Sequence, residues 1–162
     1  MISAASLASA FSRNCEIIRM QGEGFSHLDS LRQLPFRANC MNWVVGHVVS
    51  NRMNIFKLLK AIHLVDGQTF SRYERESDPI LRDGPGVLLF EDLIHSLEKS
   101  QKELDDILEM QTSDELQRME MIFGSRAMSV ADWLFFFYFH ETYHVGQTEI
   151  LRQAAGMNDK VT

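Results

Sequence analysis

Apolar side chains recur at three- and four-residue intervals over four long stretches, and no stretch shows convincing two-residue alternation, so the pattern predicts helices rather than strands. The first helix is expected from Ala4 to Met20, closed by Gly22-Glu23-Gly24. A connection then passes through Leu34-Pro35, where proline turns the preceding residue away from helix. The second helix is expected from Cys40 to Leu64, stopping near Asp66-Gly67. Its buried stripe is Val44, His47, Val48, Asn51, Ile55, Leu58, Leu59 and Ile62. Residues 66–86 are charged and irregular and end in Asp83-Gly84-Pro85-Gly86. The third helix is expected from Val87 to Glu109, with Phe90, Leu93, Leu97, Leu104 and Leu108 on one face. After Gly124 the fourth starts on Ser129 as N-cap and runs to about Ala155, with Gly156 as its stop.

Four amphipathic helices with one long crossover between the second and third predict an all-α four-helix bundle, residues 1–162 forming a single domain. A crossover as long as 66–86 suits a lid or a dimer contact, or simply the passage between helices. The net charge of −6 and the lack of any lysine- or arginine-rich run argue against a nucleic-acid partner. Cys15 and Cys40 form no CxxC motif and read as reduced thiols. Met1 to Ala10 is small and apolar without a cationic start, which fits a first helix better than a signal peptide. The apolar run from Val130 to Phe139 is too short to span a bilayer. A cytoplasmic protein without a membrane partner is the expectation.

Chemistry concentrates in the fourth helix. At about 100° per residue, His140 and His144 lie one turn apart, in the sector of Val130, Trp133, Phe137, Thr148 and Leu151. Two buried imidazoles are costly unless their nitrogens are satisfied, and a transition metal satisfies them well. The plain alternative is a core pair bonded to carbonyls or to Glu141. Of the remaining histidines, His95 sits on a polar face, His63 near a helix end and His27 between helices, so burial selects His47 as third ligand. Its plain alternative is a core histidine bonded to Asn51. Three imidazoles leave coordination positions open, as catalytic rather than structural sites do.

Around this triad, Gln147 and Asn51 are candidates to support a ligand or to bind substrate, with a capping or interhelical amide the alternative for Gln147; Glu141 is a candidate base, though an ordinary rim carboxylate is the simpler reading. Gly46 and Gly146 suggest close backbone approach between the ligand-bearing helices, or mere relief of crowding. The block Phe135-Phe136-Phe137-Tyr138-Phe139 covers every side of its helix, which fits a dimer interface or a thick monomer core. His140-Glu141-Thr142-Tyr143-His144 also matches the HExxH pattern of zinc peptidases. However, no histidine follows His144, and no strands are expected to build a peptidase cleft.

Trp43-Val44-Val45-Gly46-His47 followed by His140-Glu141-Thr142-Tyr143-His144-Val145-Gly146-Gln147 resembles the DinB/YfiT-like metalloprotein superfamily. The resemblance implies an up-down-down-up bundle, often a homodimer, with a divalent-metal site on His47, His140 and His144. The ion would be zinc, nickel, manganese or iron. It further implies a transferase or isomerase that acts on a small-molecule substrate with a low-molecular-weight thiol as cosubstrate. Val145 stands where many relatives carry arginine, so that arginine's role is not carried over. A helical metal-binding or dimerisation module without turnover is the alternative function.

Overall fold

A computed structural model describes residues 3–61, 67–124 and 126–157. The four long helices are α1 (Ala4–Gly22), α3 (Met41–Leu58), α4 (Phe90–Glu109) and α6 (Val130–Ala154). Shorter pieces fill the connections: α2 (His27–Ser30), a 3₁₀ helix (Gly67–Tyr73) and α5 (Ser113–Gln117). Strands β1 (Met119–Glu120) and β2 (Met128–Ser129) pair antiparallel, Met119 with Ser129 and Glu120 with Met128. This ladder was not expected, because two residues per strand leave no alternation to detect.

α1 and α3 sit diagonally, each packed against both α4 and α6. Asn42 at the start of α3 donates to the Leu88 carbonyl ahead of α4, and Arg52 further along reaches the Leu97 carbonyl, so α3 and α4 run parallel. Arg152 near the end of α6 donates to the Gln21 and Glu23 carbonyls at the end of α1, and Asn14 meets Thr142. α1 and α6 are therefore parallel as well. Gly22 closes α1 against Phe90, which opens α4, and this sets α1 antiparallel to α4. The result is an all-α up-down-down-up bundle, whose parallel α3–α4 pair requires the long crossover.

The core follows the helical stripes. Phe90, Leu93, Leu97, Leu104 and Leu108 are all buried, facing Leu7, Phe11 and Ile18 of α1 and Val44, Val48 and Ile55 of α3. Burying each large side chain contributes roughly 1.5–3 kcal/mol before entropy is counted. No helix of the described residues is long and apolar enough to cross a membrane. Cys15 and Cys40 are free and buried.

Two helix limits differ from expectation. α3 ends at Leu58 rather than Leu64, while Ile62, His63 and Leu64 lie outside the described residues. The stop is a Schellman closure: Ala61 N–H bonds the Phe56 carbonyl, Lys60 N–H bonds the Lys57 carbonyl, and Lys60 takes φ of 55°. α4 starts at Phe90 rather than Val87, because Val87 N–H closes a turn onto Gly84 and Leu88 N–H is held by the Tyr73 hydroxyl. The fourth helix is capped by Ser129, whose Oγ accepts from Asp132 N–H at 3.1 Å.

Candidate metal centre

α3 brings His47 to the face of α6 that carries His140 and His144. Ring centroids are 5.3 Å apart for His47–His140, 5.0 Å for His47–His144 and 4.7 Å for His140–His144. One ring nitrogen from each lies within 4.8 Å of the others. His47 and His144 are buried and His140 is half-buried. Burial, only partly offset by the Tyr73 carbonyl, pushes His47 down to about 4 from 6.5. Burial likewise pushes His144 to about 4, against the opposing bond to Gln147, and lowers His140. At neutral pH the three rings are therefore uncharged, the state a metal ligand requires.

Their tautomers are set by neighbours. His47 Nδ1 lies 2.7 Å from the Tyr73 carbonyl, which can only accept, so Nδ1 carries the proton and Nε2 keeps its lone pair. Asn51 Nδ2 donates to that Nε2 at 2.9 Å and to the His47 carbonyl at 2.9 Å. His144 Nδ1 lies 2.7 Å from Gln147 Oε1, which leaves its Nε2 for coordination. Neither nitrogen of His140 has a hydrogen-bond partner among the described residues. Trp43 stacks on His47 with centroids 4.4 Å apart and planes 15° from parallel, and is itself anchored by Nε1 donating to Ser77 Oγ.

The 3₁₀ helix contributes a residue that the sequence reading missed. Tyr73 is fully buried; its hydroxyl donates to Asn42 Oδ1 and accepts from Leu88 N–H, while its carbonyl orients His47. Gly46 exists for this contact, since a Cβ there would collide with the Tyr73 ring. The expected helix-to-helix approach at the two glycines is therefore corrected: Gly46 admits Tyr73, and Gly146 faces open space.

Glu141 is also corrected. It is buried, and both its oxygens accept from Arg52, Oε2 from Nε at 3.0 Å and Oε1 from Nη2 at 2.9 Å. Both its oxygens are taken up by the guanidinium fork, and Glu141 does not line the cavity beside the histidines. Arg52 itself was missed, because an arginine flanking an apolar stripe ordinarily reads as solvated. Here it is 0% exposed and also donates to the Leu97 carbonyl and Ser100 Oγ.

Beside His47 and His140 opens a cavity of about 1090 Å³. Asn51 lines it, whereas Gln147 acts only from behind His144.

The fold and site together define a helical bundle with a three-histidine, metal-competent centre at a cavity. A family model, the DinB superfamily, matches residues 32–148, and the chain belongs to that superfamily. No curated protein matches the chain. The donor set fits a divalent transition metal, with three neutral imidazoles of which two have Nδ1 engaged; Nε2 of His144 is available, and that of His47 is held by the Asn51 amide, which an ion would have to displace.

Proposed function

We propose that this protein is a divalent-metal-dependent enzyme, a thiol-dependent transferase or isomerase acting on a small molecule. The observation supporting it is that three neutral histidines converge, with no fourth protein ligand in the cluster among the described residues, and that two of them, His47 and His140, line a cavity large enough for a small molecule. A divalent ion held there supplies Lewis acidity, lowering the pKa of a thiol or water and polarising an electrophile. Tyr73 and Gln147 hold two of the imidazoles in the ligating tautomer, and Asn51 supplies an amide beside the reacting atoms. Phe136 and Phe137 line the α6 side with aromatic rings. The choice of a thiol follows from the family resemblance. The two free, buried cysteines suit a reducing cytoplasm.

The test is metal content by inductively coupled plasma mass spectrometry, beside a His47→Ala/His140→Ala variant. About one transition metal per chain in the parent and none in the variant is expected. The loaded parent should then conjugate a low-molecular-weight thiol to a model electrophile, and the apo chain should not. Equal turnover by both would refute the enzyme reading.

A second reading, a metal-binding dimerisation module, draws on the outer face of α6. Phe135, Phe139 and Tyr143 are exposed there on successive turns, and a second copy of the chain is the partner proposed for them.

A further inference from the structure

We infer that the cavity beside the histidines binds an elongated organic anion whose negative group is taken by the cations of its lining, Lys57 and Arg75. This deepens the enzyme reading and rests on it. The α3 wall of the cavity is His47, Ser50, Asn51, Asn54 and Lys57, with Met53 the one apolar side chain among them, along one helix face. From His47 to Lys57 is ten residues, or about 15 Å of helix. The wall thus runs from a metal-competent imidazole, past a hydroxyl and two amides, to an ammonium group.

The facing wall differs in kind. Phe123 and Phe136 line it and are 66% and 42% exposed, unusual values for phenylalanines beside a centre of neutral, buried polar groups. A ligand matching both walls has hydrogen-bonding groups along one edge and an apolar or aromatic edge opposite.

Charge selects the end group. Lys57 makes no ion pair among the described residues. Among the described residues the ion pair of Arg75 is with Glu76, at 3.7 Å, with both side chains more than four-fifths exposed, a pair of little strength. Glu74 is the one carboxylate on the lining among the described residues, set against these two cations. The cavity is therefore positive in a chain whose net charge is −6, and a carboxylate is the simplest group to use both donors.

Hippurate is a suitable probe because it joins an aromatic ring, an amide and a carboxylate, and hippuramide is its neutral counterpart. Both are titrated calorimetrically into the chain after metal reconstitution, and into a Lys57→Met/Arg75→Met variant. Both substituted residues are exposed, so folding should be unaffected. Hippurate should bind the parent about tenfold more tightly than hippuramide, and the variant should lose that preference. Three results overturn the assignment: equal binding of the two probes, no binding of either at millimolar concentration, or a preference that survives in the variant, which would place the carboxylate on the metal. Metal content of the same samples separates the two levels. A chain that takes up metal yet shows no hippurate preference loses the anion site alone. A chain that takes up none loses the enzyme reading, while a preference abolished by the variant would still uphold the anion site.

Discussion

Arg52 and Glu141 form a buried ion pair that ties α3 to α6 between the same histidines those helices supply. Removing one partner leaves an uncompensated charge in the core, which costs about 3–5 kcal/mol, whereas replacing both with apolar groups costs far less. Arg52→Met and Glu141→Leu should each lower stability by that amount, and the double variant should recover most of it, as read by urea unfolding of the apo chain. Additive losses would show that the pair is not coupled. The histidines make a second prediction at this scale. Burial holds His47 and His144 near 4 in the folded chain, against 6.5 ordinarily. Between those values the unfolded chain binds more protons, so the stability these rings confer is complete above pH 6.5 and is lost as pH falls toward 4. The apo chain's urea midpoint should fall across that window, and a His47→Gln/His144→Gln variant should show a shallower fall. Parallel curves would mean the rings are not held neutral by burial.

The elements show what the sequence could and could not disclose. Helical spacing marked all four long helices, and Ser129 and Gly156 marked the ends of α6 correctly, because caps are local chemistry. The end of α3 was misread because its left-handed closing residue is Lys60, where glycine is the usual signal. Lys60→Gly should therefore stabilise the chain by about 1 kcal/mol, since a non-glycine residue at positive φ costs about 1–2 kcal/mol. An unchanged midpoint would indicate that Arg118, whose Nη2 donates to the Leu58 carbonyl at 2.8 Å, already secures that end. The three histidines of the cluster were legible because burial periodicity and the family motif point to them. Tyr73 and the partner of Arg52 were not, since each meets its contact across a long separation in the chain, 26 residues from Tyr73 to His47 and 89 from Arg52 to Glu141. Gly46 carried the missing signal, a helix-interior glycine whose contact lay in the crossover. Gly46→Ala should displace Tyr73, free Nδ1 of His47 and weaken metal binding about 10–100-fold, as losing a ligand's hydrogen-bond partner does. Competition against a chromophoric chelator measures it, and unchanged affinity would remove Tyr73 from the site.

At the scale of the whole molecule, the bundle buries one side of α6 on its own core and leaves the other side apolar. Phe135, Phe139 and Tyr143 are 48%, 64% and 61% exposed and follow one another at four-residue steps, with Ile150 two turns further on. Gly146 lies between Tyr143 and Ile150 with open space above it, which leaves room for a second helix to approach closely. A single ridge of this kind can pair with its own copy about a two-fold axis, since such an interface uses the same patch on both chains. Light scattering after size exclusion should therefore give twice the chain mass for the parent. Phe135→Glu/Phe139→Glu places charges where a dimer would desolvate them and should give the mass of one chain. Because neither residue belongs to the histidine cluster, the variant should keep its metal. A parent that stays monomeric at all accessible concentrations would assign the aromatic ridge to some other partner. A variant that lost both dimer and metal would show that pairing of two copies helps hold His140, the least buried histidine of the cluster, in place.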